Sequence, residues 1–156
     1  MDAYNSLNSL TSMLNEQIAR QIFETIPENG PLILIIDRNG SSWPSDSEEF
    51  SKLNISESFL KELCMKIDDG VEPVITQSNN CCIIAAQLAT DNNNCGYIIM
   101  ALPQCNEEST FKNIHLIEML LNQFSLIAKL IEKNNLLYEF QIRKYSGYSN
   151  NSSILN

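Results

Sequence analysis

The chain is short of the residues that most often carry chemistry. It has one histidine, one tryptophan and five glycines in 156 residues. A loop that cradles phosphate needs closely spaced glycines, and these five are too few for such a loop plus the turns. Positive charge is also scarce, with ten Lys and Arg against nineteen Asp and Glu and a formal charge of -9. The cations are scattered, Arg143-Lys144 being the densest pair, which argues against a surface tracking nucleic acid or an anionic membrane. The opening "MDAYNSLNSLTSMLNEQ" has neither a basic nor a continuous apolar region of signal-peptide type, and no span reads as a bilayer-crossing segment. The five cysteines are odd in number and contain no C-x-x-C pair. They suit reduced thiols, so the expected compartment is the cytoplasm.

What is present is a core. With 44% hydrophobic residues, the chain suffices for one domain, expected over 1–144 with a flexible tail or linker from Tyr145 to Asn156. Leu7, Leu10, Leu14, Ile18, Ile22 and Ile26 stand three or four apart, one stripe of an amphipathic helix that Pro27 ends. "LILIID", Leu32 to Asp37, is a strand buried on both faces, and "RNG" turns it into a short second strand at Ser41 to Trp43. Pro44 to Ser51 is polar and acidic and reads as a surface loop.

Asn54 with Glu57 marks a helix start, and Ile55, Phe59, Leu63 and Ile67 form its apolar face until "DDG" stops it. Val71 to Thr76 reads as a third strand, at an edge because Pro73 lacks the amide that a central ladder needs. Cys81 to Ala89 and Tyr97 to Leu102, joined by "TDNNNCG", form an antiparallel pair. "CCIIAA" and "YIIMAL" are apolar at consecutive positions, so both sheet faces are expected to be covered.

The last segment carries the strongest periodicity: Ile114, Ile117, Leu121, Phe124, Ala128, Ile131, Asn135, Tyr138 and Ile142 alternate spacings of three and four, a heptad seam. Leu116, Leu120, Ile127, Leu130 and Leu137 form a second row beside it. A continuous helix from Thr110 to Lys144 would run roughly 50 Å, longer than such a domain is wide. Either the N-terminal helix covers the second row within the monomer or a second copy does. The reading adopted is a homodimer paired through Ile117, Leu121, Phe124, Ala128, Ile131 and Tyr138.

This order of elements resembles a GAF domain. "LILIIDRNG" looks like that family's first strand and turn, "IIAAQLATDNNNCGYIIMALP" like its pair of joined strands, and "STFKNIHLIEMLLNQFSLIAKLIEKNNLLYEF" is similar to its closing helix. The likeness spans Leu14 to Phe140 and rests on apolar and turn patterns. It implies an α+β domain: a central antiparallel sheet of five or six strands, the terminal helices on one face, and a short helix with a small-molecule pocket on the other. It also implies a sensory or dimerisation role in signal transduction, attached to an output partner. The segment from Gly40 to Val71, which in that family usually supplies the pocket's lid helices, is short here. Candidate pocket walls are Trp43, Phe59, Leu63, Cys82 and Ile84, with the ligand and any cofactor unknown. Roadblock-like domains, which are interaction scaffolds, share a similar succession of elements and are the alternative.

Catalytic chemistry finds little to work with. Cys81 and Cys82 are adjacent in a strand and point to opposite faces, as small buried hydrophobes do. Cys95 reads as exposed in a turn, but no cation stands near it in sequence to lower its pKa, as the methionine sulfoxide reductases that resemble GAF domains would require. His115 has only Glu118 at helical spacing, too little for a metal site. Asp68-Asp69 lies at a helix C-terminus, where negative charge is unfavourable; it reads as a plain surface loop, with a cation or partner contact as the alternative. The expected protein is not an enzyme.

Overall fold

The computed structural model describes residues 14–91 and 94–151. Five strands form one antiparallel sheet: β1 Leu32–Asp37, β2 Ser42–Pro44, β3 Val74–Ser78, β4 Cys81–Ala89 and β5 Asn94–Pro103, in the order β2-β1-β5-β4-β3. The helices are α1 Glu16–Phe23, α2 Ser47–Lys52, α3 Glu57–Asp68, α4 Glu107–Lys112 and α5 Ile114–Asn151. The architecture is α+β with an open sheet and a long C-terminal helix, as the apolar pattern implies. Leu7 and Leu10 lie outside the described residues.

Both faces of the sheet are dry. Ile33, Ile35, Ile84, Leu88, Ile98 and Met100 point to one face, where α1 brings Ala19 and Ile22 and α5 brings Ile117, Leu121, Phe124 and Ala128. Leu34, Ile36, Ile83, Ala85, Ile99 and Ala101 point to the other, covered by Leu63 and Ile67 of α3. Period-two alternation of an all-apolar strand needs this arrangement, since neither side can face water.

Local chemistry sets the helix boundaries. Asn15 Oδ1 accepts from the Ile18 amide at 2.9 Å and starts α1; Ser56 Oγ accepts from the Phe59 amide at 3.2 Å and starts α3. The cap of α3 is therefore Ser56, and Asn54 instead takes φ 51° in the link before it. The segment expected to be a loop contains α2, because Asp46 Oδ1 caps it at 3.0 Å from the Glu49 amide and Phe50 and Leu53 pack against the α3 side of the core. The third strand starts later than expected, at Val74.

The closing helix is not continuous from Thr110. Asn106 and Ser109 form a capping box for α4, and Asn113 ends it. The Asn113 carbonyl then accepts the Leu116 and Ile117 amides and begins α5. At the other end, helix persists through Asn151 where a tail was expected from Tyr145. Ser146 supports this last stretch, its hydroxyl donating to the Ile142 and Arg143 carbonyls.

Gly96 shows why β5 reaches back to Asn94. Its φ is 148°, and a Cβ there would run into the Ile36 carbonyl oxygen of the neighbouring strand. Glycine permits this close approach opposite Asp37, beside the register shift at Leu88/Ala89. Gly96→Ala is expected to destabilise the fold by at least about 2 kcal/mol, through backbone strain and displacement of β1. Urea unfolding measures it; a loss below about 0.5 kcal/mol would contradict the close packing.

Candidate functional site

The five residues expected to wall one pocket are divided by the sheet. Phe59 and Leu63 lie on the α3 side. Ile84 and Trp43 pack on the α1/α5 side, and Cys82 shares the parity of Ile84 and pairs across the ladder with Leu102 of that side. Cys82 and Ile84 are fully buried and Leu63 is 1% exposed. These five side chains therefore do not line a common cavity; strand parity places them apart.

A cleft does exist on the α3 side, one turn along from Leu63. It has a volume of about 390 Å³ between the β1–β2 turn and α3, with apolar walls from Ile36, Leu60 and Met65 and polar groups from Arg38, Lys61 and Asp68. Tyr97 floors it. Asp37 holds the turn, its Oδ1 accepting the Asn39 and Ser41 amides at 2.9 and 2.8 Å. Arg38 is thereby aimed across the cleft, where Nη1 donates to Asp68 Oδ1 at 2.9 Å and to the Tyr97 hydroxyl at 2.7 Å. The Tyr97 hydroxyl in turn donates to Asp68 Oδ2 at 2.7 Å, and the guanidinium carbon lies 5.4 Å from the ring centroid.

Each group of this triangle favours its present charge. Hydrogen bonds from Tyr97 and from Arg38 hold the Asp68 carboxyl below its usual range, and the bond to Asp68 raises the Arg38 guanidinium further. Asp68 thus finds its cation in Arg38, which offsets the unfavourable position of a carboxylate at the end of α3. Arg38 and Asp68 remain 46% and 40% exposed, so solvent screens much of the attraction.

Four of the five thiols are poorly placed for nucleophilic work. Cys95, expected in an exposed turn, lies inside β5 and is 7% exposed. Burial is the first cause raising the thiols of Cys64, Cys81, Cys82 and Cys95, and nearby Glu132 adds to it at Cys95. His115 is 95% exposed with Nδ1 3.6 Å from Glu118. Among the described residues no group of three His, Cys, Asp or Glu side chains is gathered to hold a metal.

The second candidate surface is α5. Four residues assigned to the dimer seam, Ile117, Leu121, Phe124 and Ala128, are buried against the monomer's own sheet, and Ile131 packs partly beside them. Beyond Ile131 the row is open, with Asn135, Tyr138 and Ile142 exposed, because the helix there has run past the sheet. The second row is split: Leu120 and Ile127 pack against the core, whereas Leu116, Leu130 and Leu137 face out together with Met119, Leu126 and Phe140, each more than half exposed. Where α5 leaves the sheet it is tied to the β4–β5 turn, with Thr90 Oγ1 donating to the buried Glu132 at 2.7 Å and Lys129 pairing with Asp91 at 3.0 Å.

One described helix, over 114–147, is long and apolar enough by length and composition to cross a bilayer, which corrects the reading that no span qualifies. Its inner row belongs to the sheet core, and insertion would strip Ile117, Leu121, Phe124 and Ala128 from that core.

Comparison with protein-family models, curated proteins and solved structures finds no match to this chain.

The Tyr97 hydroxyl is pushed up to about 12, first by burial and then by its bond to Asp68. A raised folded-state pKa contributes stability that is complete below the unfolded value, about 10, and is lost as pH rises toward 12. Urea unfolding at intervals across that window is expected to show a loss on the order of 2 kcal/mol that Tyr97→Phe lacks. Equal losses in the two proteins would refute the triangle.

Proposed function

We propose that this protein is a non-catalytic regulatory module of GAF-like build that works as a homodimer in the cytoplasm, joined through the outer row of α5. The observation that carries this reading is the second apolar row. A helix with one row on its own sheet and another, largely apolar, in water leaves that outer face uncovered. The raised thiols of Cys64, Cys81, Cys82 and Cys95 and the exposed His115, with only Glu118 beside it, support a role without catalysis.

In this reading the cleft beside Arg38 is the place for a small molecule, whose binding would shift the balance between packings of α5. The alternative, a Roadblock-like interaction scaffold without a pocket, draws support from the tight burial of Leu63, Cys82 and Ile84. Native mass spectrometry of freshly purified protein separates the two: a dimer with added mass favours the sensor, and a clean dimer favours the scaffold.

Sedimentation equilibrium tests self-association itself. The wild type is expected to be a dimer at micromolar concentration, and Leu126→Lys/Leu137→Lys a monomer with unchanged circular dichroism. A monomeric wild type would refute the proposal. If that monomer also floated with phosphatidylcholine vesicles, the outer row would belong to a bilayer.

A further inference from the structure

The outer row of α5 has an internal order that selects one way of pairing with a second copy. Its apolar members, Leu116, Met119, Leu126, Leu130, Leu137 and Phe140, fall on a three-four repeat interrupted by Gln123 and Lys133. In a parallel, in-register pair each residue meets its own copy, so Lys133, 3.9 Å from Asp91 of its own β4–β5 turn, would face Lys133 in the seam, where the two ammonium groups gain no partner from each other and repel.

An antiparallel pair behaves differently. Setting Leu126 against the partner copy's Leu130 brings Leu116 opposite Phe140 and Met119 opposite Leu137. The same register places Gln123 opposite Lys133, twice by symmetry. Every apolar position then meets an apolar position, and the two polar interruptions meet each other. We infer that α5 pairs with a second copy of itself antiparallel, in this register. The inference rests on the self-association proposed above and deepens it.

Reach and area agree with this arrangement. Leu116 to Phe140 spans about 36 Å along the axis, and the last part of it projects beyond the sheet. Antiparallel pairing lays that projecting part, with Leu137 and Phe140, over Met119 and Leu116 on the body of the other copy. The six exposed side chains offer on the order of 600–800 Å² per copy, close to the roughly 800 Å² per partner of a standard interface. Ile117, Leu121, Phe124 and Ala128 stay on their own sheet, so no part of the core is given up. The pairing is isologous and closes at two copies.

Cross-linking tests the register, in a background carrying Cys64→Ser and Cys105→Ser to remove the partly exposed thiols. Met119→Cys and Leu137→Cys proteins are oxidised singly and as a mixture, with circular dichroism to check folding. Antiparallel pairing predicts covalent dimers in the mixture and not in either protein alone. Self-linking of each single variant would establish a parallel pair and overturn the inference. A sedimenting dimer with no cross-link in any sample would also overturn the register while leaving self-association standing; a monomer would overturn self-association itself. As a second reading of the same register, Gln123→Glu is expected to tighten the dimer about threefold by facing Lys133, whereas in a parallel pair it would face itself and loosen it.

Discussion

Strands β1, β5 and β4 are apolar at successive positions, and burying both of their faces is the constraint from which the rest of the chain follows. A sheet with one wet face needs a single layer of helices; this one needs two. The two layers are unequal. The α3 side is closed by a twelve-residue helix and the short α2, whereas the opposite side takes α1 and the first half of a 38-residue helix. That asymmetry leaves a cleft on the thinly covered side and an overhang on the other.

The overhang defines what is left to explain about α5. A helix serving one sheet carries one apolar stripe, but α5 carries two, and the intramolecular core absorbs the inner one with Leu120 and Ile127 beside it while the outer one stays open. The tie between Thr90 and Glu132 fixes where the helix leaves the body, so the outer row and the free end are presented at a set angle rather than by a loose extension. The apolar length suffices to cross a bilayer, and 22% of that apolar stretch is buried inside the monomer.

Much of this layout was legible in the residues. "LILIID" gives β1 to the residue because a six-residue β-branched and leucine run between Pro31 and the "RNG" turn has the length of a strand and not of a helix, and coverage of both sheet faces follows from "CCIIAA" and "YIIMAL". Asp68-Asp69 stood out as charge in an unfavourable place while reading as a surface loop, and Arg38 pairs with the first of the two. Other features depend on information a single segment does not hold. An all-apolar strand lacks a polar side to fix its parity, so the grouping of Cys82 and Ile84 with Phe59 and Leu63 had no internal check, and the sheet separates them. The two rows of α5 are similarly apolar, and only packing against Ile84, Leu88 and Ile98 decides that the row with Phe124 and Ala128 goes inward. Helix α2 is too short to show a period, and Cys95 is drawn into β5 by the close approach that Gly96 permits.

Tyr97 and Ile98 are consecutive in β5, one forming the floor of the cleft and the other lying beneath α5. A single peptide unit therefore separates the two sides of the molecule. Anything that tilts or shifts the tyrosine acts on a backbone whose next side chain supports the long helix, and a dry, close-packed sheet has little slack to absorb the movement. The sheet is thus a short mechanical path between its faces as well as the floor of both cores.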